Sequence, residues 1–122
     1  MTLERQALGR TGEDLAVAEI ERLGYAVLDR RYRTRHGEID IVAEEGDTVV
    51  FIEVKARATA ERGTAAEAVT ARKQRRVIAM ALDYLSRRHL THRRCRFDVV
   101  AIDGDGEGRR LTLYRGAFDA SR

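Results

Sequence analysis

Residues 51–57 read FIEVKAR, a carboxylate and an ammonium two positions apart inside an apolar run. Alternation along a strand puts Glu53 and Lys55 on one face. Two readings suit that pair. One is a metal-dependent site for cleaving a phosphodiester. The other is a solvent-facing ion pair on a strand edge, which contributes little to stability.

Basic residues are used unevenly. Of 23 Lys and Arg residues, 21 are Arg, and only Lys55 and Lys73 are Lys. Lysine carries a compact point charge on a flexible stem, whereas arginine is a planar fork. A lysine inside EVK therefore points to a position where a compact charge matters.

The neighbouring strand supplies a second acid. The stretch EEGDT suits a two-residue hairpin turn at Gly46-Asp47 that pairs Glu45 with Thr48. Counting back, Asp40 falls opposite Glu53, at the ~4.5–5.5 Å Cβ separation of opposed residues. One face then carries Glu38, Asp40, Val42 and Glu44 with Val49, Phe51, Glu53 and Lys55. The other face is wholly apolar: Ile39, Ile41, Ala43, Val50, Ile52 and Val54. Opposed carboxylates repel unless a cation intervenes. Lys55 supplies part of that cation, and a divalent metal would supply more.

Two helices are expected to aim at the same face. Glu13 shares a helical stripe with Ala16, Val17, Ile20 and Leu23, where an unpaired carboxylate is costly. The alternative is a first-turn acid that complements the helix dipole. Lys73 shares a stripe with Ala66, Val69, Val77, Met80 and Tyr84; its alternative is a lysine that snorkels to solvent.

The elements follow from periodicity and punctuation. A helix is expected from near Thr11, or somewhat earlier, to Leu23, with Thr11 and Asp14 as an N-terminal signature and Gly24 as the stop. Strands follow at 25–33, 38–45 and 48–56. Thr64 and Glu67 make a capping box for a helix over 65–88, and strands at 97–102 and 110–115 complete the chain. The order α-β-β-β-α-β-β gives an α/β fold with a mixed sheet. The second helix is the crossover that makes the 97–102 strand parallel to 48–56.

A chain of 122 residues forms one domain, here 1–122, and 43% hydrophobic with 35% charged residues fits a soluble globular protein. No run reaches the ~20 apolar residues of a membrane span. The start lacks the apolar core of a signal peptide, so a cytoplasmic location is expected. Cys95, the only cysteine, is expected to be buried, and one cysteine excludes an intrachain disulfide or a multi-cysteine zinc site. His36, His89 and His92 lack metal-ligand spacing. Net charge is only +3, but residues 71–96 hold nine basic residues against Asp83 alone, a local balance of +8 that suits a phosphate backbone or a plain solvated helix.

The segments GRTGEDLAVAEIERLGYAVLDRRYRTRHGEIDIV, VFIEVKARA, AVTARKQRR and RFDVV resemble the YraN-like family of bacterial proteins. That family is placed in the PD-(D/E)xK nuclease superfamily, with Holliday-junction resolvases and restriction endonucleases. The resemblance covers residues 8–119 and implies a restriction-endonuclease-like core. The superfamily pattern falls on Asp40, Glu53 and Lys55, with Ile39 in place of the name-giving proline. Glu13 matches the acid often found on the first helix.

What the resemblance implies is a Mg²⁺- or Mn²⁺-dependent endonuclease acting on branched or otherwise structured DNA. Asp40 and Glu53 would hold the metal with the Val54 carbonyl, and Glu13 would assist directly or through water. Lys55 would orient the attacking water or neutralise the pentavalent phosphate, with Lys73 nearby. Arg33, Arg35, Arg57, Arg72, Arg75 and Arg76 would hold phosphates. No membrane partner is expected, and a homodimer is one admissible assembly. The rival is a non-catalytic module for binding nucleic acid or recruiting a partner on the same fold.

Overall fold

A computed structural model describes the backbone of residues 3–120 and the side chains of 11–120. The order is α1 (Leu3–Arg22), β1 (Ala26–Thr34), β2 (Gly37–Glu45), β3 (Thr48–Arg57), α2 (Ala71–Arg87), β4 (Arg94–Asp103) and β5 (Arg110–Phe118). The strands form one sheet in the order β1-β2-β3-β4-β5, so spatial order follows chain order. Only β3 and β4 pair in parallel; the other three neighbours are antiparallel. The expected α/β architecture and its crossover are present.

Each helix covers one face of the sheet. On one side Ala16 and Ile20 of α1 pack with Ile41, Ala43, Val50, Ile52 and Val100. On the other, Val77, Met80, Ala81 and Tyr84 of α2 pack with Val42, Val49, Phe51 and Phe97. The expectation that both helices address one face is therefore corrected. A sheet with a parallel pair needs both faces covered, and two amphipathic helices supply that cover from opposite sides.

Helix ends account for the boundaries. Gly24 has φ +96°, and Tyr25 N–H donates to Ile20 O at 2.9 Å while Gly24 N–H donates to Glu21 O at 3.0 Å. This left-handed stop satisfies the last carbonyls and turns Tyr25 back onto Ile20. At the other end α1 begins at Leu3, so Thr11 lies inside the helix and does not cap it. The Thr64–Glu67 capping box forms, with Thr64 N–H to Glu67 Oε1 at 2.9 Å, but it caps only a 3₁₀ turn. The helix proper starts six residues later than expected, at Ala71, with Thr70 accepting from Lys73 N–H. Cys95 is exposed rather than buried. Among the described residues no helix is long and apolar enough to cross a membrane.

Candidate active site

The β2–β3 hairpin has the expected register, Glu45 with Thr48 through Ile41 with Ile52. There the regular pairing stops, one position short of Asp40 and Glu53. Alternation breaks at the same place: Ile39 packs on the α2 side, whereas Ile41 faces α1. The expectation that Ile39 and Ile41 share a face is corrected. With the ladder ended, Val54 N–H donates to Asp40 Oδ2 at 2.8 Å. A side-chain carboxylate thus satisfies a main-chain donor that a regular strand would pair with a carbonyl.

The splayed end brings Asp40 and Glu53 together through a side-chain hydrogen bond. Burial raises the Glu53 pKa to about 8, and the adjoining Asp40 charge adds to the rise. Asp40 is also raised, by burial first, although the Val54 N–H opposes the shift. Two carboxyls in a partly dehydrated site cannot both ionise cheaply. Near neutral pH the pair therefore shares a proton.

Two lysines counter that charge. Lys55 from β3 and Lys73 from the first turn of α2 both act on Glu53 in the direction that favours its ionised form. Lys55 is itself pushed down by burial, then by the charge and a hydrogen bond of Lys73, then by Arg57. Lys73 is half-buried and lies near enough to Lys55 and Glu53 to act on both.

Glu13 reaches the site from the opposite face. It is 7% exposed, and its charge raises the Asp40 pKa. Arg30 Nε lies 2.8 Å and Arg31 Nε 3.4 Å from Glu13 Oε1. Because α1 starts at Leu3, Glu13 sits mid-helix, and the first-turn dipole reading is removed. Arg30 and Arg31 were not legible as site residues. Their signal is tertiary: β1 pairs Arg30 with Ile41 and Tyr32 with Ile39, which sets Arg31 beside Asp40. Arg31 adopts φ +52°, a costly backbone conformation for a side chain of this size.

The arginines sort by partner. Arg87, Arg88, Arg93 and Arg96 are neutralised by Asp83, Asp29, Glu44, and Glu45 with Asp98. Arg33 pairs with Glu38 at 3.1 Å, and Arg35 donates to His36. Much of the +8 balance is thus spent inside the fold. Arg72, Arg75 and Arg76 stay exposed, on the first turns of a helix with no acid in its first turn. Cations at a helix N-terminus oppose the helix dipole, so stability does not explain their placement.

Residues 12–102 match the sequence pattern described as uncharacterised protein family UPF0102. The chain belongs to UPF0102. A UPF0102 protein of Desulforapulum autotrophicum is 47% identical over 118 residues, covering 97% of this chain and 98% of the relative. One from Myxococcus xanthus is 44% identical over 117 residues (96% and 93% covered), and one from Geobacter sulfurreducens 52% over 95 residues (78% and 74%). The UPF0102 match spans Glu13, Asp40, Glu53, Lys55 and Lys73, and stops before β5.

A divalent cation is testable against these donors. Among the described residues no three His, Cys, Asp or Glu side chains form a metal-holding group. The protein ligands on offer are two carboxylates and main-chain oxygen. That set is too small for a structural site but suits Mg²⁺, which keeps several waters and takes one or two carboxylates. Burial and their mutual charge raise both carboxyls, a cost that a bound cation would relieve. The donors fit.

Proposed function

We propose that this protein is a metal-dependent nuclease-like hydrolase of structured DNA, built on a restriction-endonuclease-like core. The observation that carries the reading is the convergence of Asp40 and Glu53 where β2 and β3 splay, with Lys55 and Lys73 against them. Stability does not account for this cluster, since buried like charges cost free energy.

Asp40 and Glu53 would hold Mg²⁺ or Mn²⁺ with the Val54 carbonyl. Such an ion supplies water activation and charge stabilisation at a phosphate. The chain does the remaining work. Val54 N–H fixes the Asp40 carboxylate in one orientation. Arg30 and Arg31 hold Glu13 in place, where it would assist the metal directly or through water. Lys55 would present a compact charge to the developing phosphate charge; burial first, and then the Lys73 charge, lower its pKa. Arg72, Arg75 and Arg76 would hold the strand by its phosphates without reading sequence.

Cleavage of branched and flap DNA in Mg²⁺ and Mn²⁺ tests this, with protein free of contaminating nuclease. Lys55→Met should leave metal binding intact and lower the cleavage rate by orders of magnitude, since a preorganised transition-state charge is worth ~3 kcal/mol. Lys55→Arg should rescue poorly, because a wide fork does not replace a point charge. A wild type that binds DNA and cleaves nothing would defeat the hydrolase reading and favour a binding module. Equal cleavage by Lys55→Met would remove the lysine from the mechanism.

A further inference from the structure

The lateral register of the sheet extends the site toward β5. On the α2 face, Glu53, Lys55 and Arg57 of β3 lie beside Val99, Ala101 and Asp103 of β4. Those three lie in turn beside Tyr114, Thr112 and Arg110 of β5. Helix α2 packs over the other end of these strands, where Phe51, Phe97 and Phe118 stack in a row. Beside the Arg57 end lies a cavity of about 470 Å³, lined by Arg57, Thr59, Thr64, Arg110, Thr112 and Tyr114 among others; Lys55 stands one position pair further in on the same face.

Three features of this cavity are unexplained by packing. Arg57 Nε is the one buried side-chain nitrogen or oxygen among the described residues that lacks a hydrogen-bond partner. A guanidinium N–H left so costs stability unless a ligand accepts from it. Arg110 is exposed and, among the described residues, joins no ion pair, unlike Arg115 on the same strand, which pairs with Glu45. Tyr114 is 44% exposed, a large ring on the cavity wall.

The rim is fixed. Asp103, which also lines the cavity and lies between the two arginines, accepts from Ala65 N–H through Oδ1 at 2.8 Å, which anchors the loop after β3. Gly104 N–H donates to Arg57 O at 2.8 Å, and at φ +86° a Cβ there would come 2.8 Å from Gly108 O. Glycine is required at that position to close the rim.

We propose that this cavity is a subsite for one unpaired nucleotide of the strand whose phosphate lies at Lys55, with the base stacked on Tyr114 and the flanking phosphate held by Arg57 and Arg110. The subsite rests on the nuclease-like reading of Asp40, Glu53 and Lys55. Tyr114 stands two interstrand spacings from Glu53, ~10 Å across the sheet, within one or two nucleotides of the acidic pair. A ring that stacks on a base needs the base out of a duplex, and stacking is tolerant of sequence. The substrate class is therefore DNA with a single-stranded segment beside the cleaved bond. Tyr114 and Arg110 lie outside the UPF0102 match.

Fluorescence anisotropy of the full chain in EDTA tests the subsite without any cleavage. The probes are a fluorescein-labelled blunt duplex and the same duplex with a short single-stranded tail. Wild type should bind the tailed probe about tenfold tighter. Tyr114→Ala and Arg110→Gln should abolish that preference and leave blunt-duplex affinity unchanged, while Tyr114→Phe keeps it. Equal wild-type affinity for both probes, or an equal loss on both with Tyr114→Ala, would overturn the subsite. So would thymidine monophosphate binding as tightly as the tailed probe, which marks a free-nucleotide site. A tail preference that depends on Tyr114 in a protein that cleaves nothing would uphold the subsite while the hydrolase reading fell.

Discussion

Glu53→Gln separates the acidic pair from ordinary fold energetics. In the metal-free protein the Glu53 carboxyl holds its proton up to about pH 8, against 4.5 for the unperturbed group. An acid whose folded pKa is raised binds more protons folded than unfolded across that interval. Stability is therefore fully present below the unfolded value and lost as pH rises through 4.5 toward 8. At 1.36 kcal/mol per unit, the loss between pH 5 and pH 9 is on the order of 4 kcal/mol, shared with Asp40 as one titrating pair. Glutamine keeps the shape and still donates a hydrogen bond to Asp40, but has no proton to lose. Urea unfolding in EDTA across that range should show wild type losing a few kcal/mol while Glu53→Gln stays nearly flat. The variant should be the more stable protein at pH 9 and about equal at pH 5. Parallel curves would refute the shared proton. A uniformly destabilised variant would show that ionised Glu53 is instead held by Lys55 and Lys73 as a structural ion pair.

Mg²⁺ or Mn²⁺ binding should release the shared proton, so calorimetry below about pH 8 in buffers of different ionisation heat should show proton release; heats independent of buffer would remove the carboxyl pair from the metal site. Replacing Arg72, Arg75 and Arg76 with Gln should flatten the salt dependence of DNA binding, by a slope of about one per lost phosphate contact. An unchanged slope would take α2 out of the interface. Lys73→Met should raise the pH midpoint for acylation of Lys55, read by mass spectrometry on a chain whose only lysines are these two; an unmoved midpoint would separate the two ammonium groups. Far from the site, Tyr25→Phe should cost about 1–2 kcal/mol. It removes the Tyr25 O–H donated at 2.7 Å to Asp98, which is fully buried and also holds Arg96 and the Gly116 N–H. An unchanged urea midpoint would show that Arg96 and Gly116 satisfy Asp98 by themselves.

The α/β order and the hairpin register from Glu45–Thr48 to Ile41–Ile52 were legible in the sequence because they are local, whereas the expected ladder pair of Asp40 with Glu53 lies one step beyond where regular pairing ends. A Gly-Asp turn sets which residues face each other, period-2 alternation sets which share a face, and Gly24 ends a helix wherever it stands. The choice of lysine at positions 55 and 73 was legible too, against an arginine background. Alternation assumes a ladder that continues, and it fails at Asp40, where the strands splay and Ile39 turns to the α2 side. Nothing in the sequence separated Thr64 from Thr70 as the start of α2; the residues between them form a 3₁₀ turn whose Ala65 and Ala68 are buried, with Ala65 N–H held by Asp103 of β4. Charge summed along residues 71–96 overstated the free surface, because Glu44 and Glu45 of β2, Asp29 of β1 and Asp98, two residues beyond Arg96 on β4, neutralise its second half. Arg30 and Arg31 beside Glu13, and Arg110 level with Arg57 across β4, are likewise juxtapositions across strands. Side-chain type and spacing along a chain decide which groups are able to react; which of them meet is decided by the packing of elements remote in sequence.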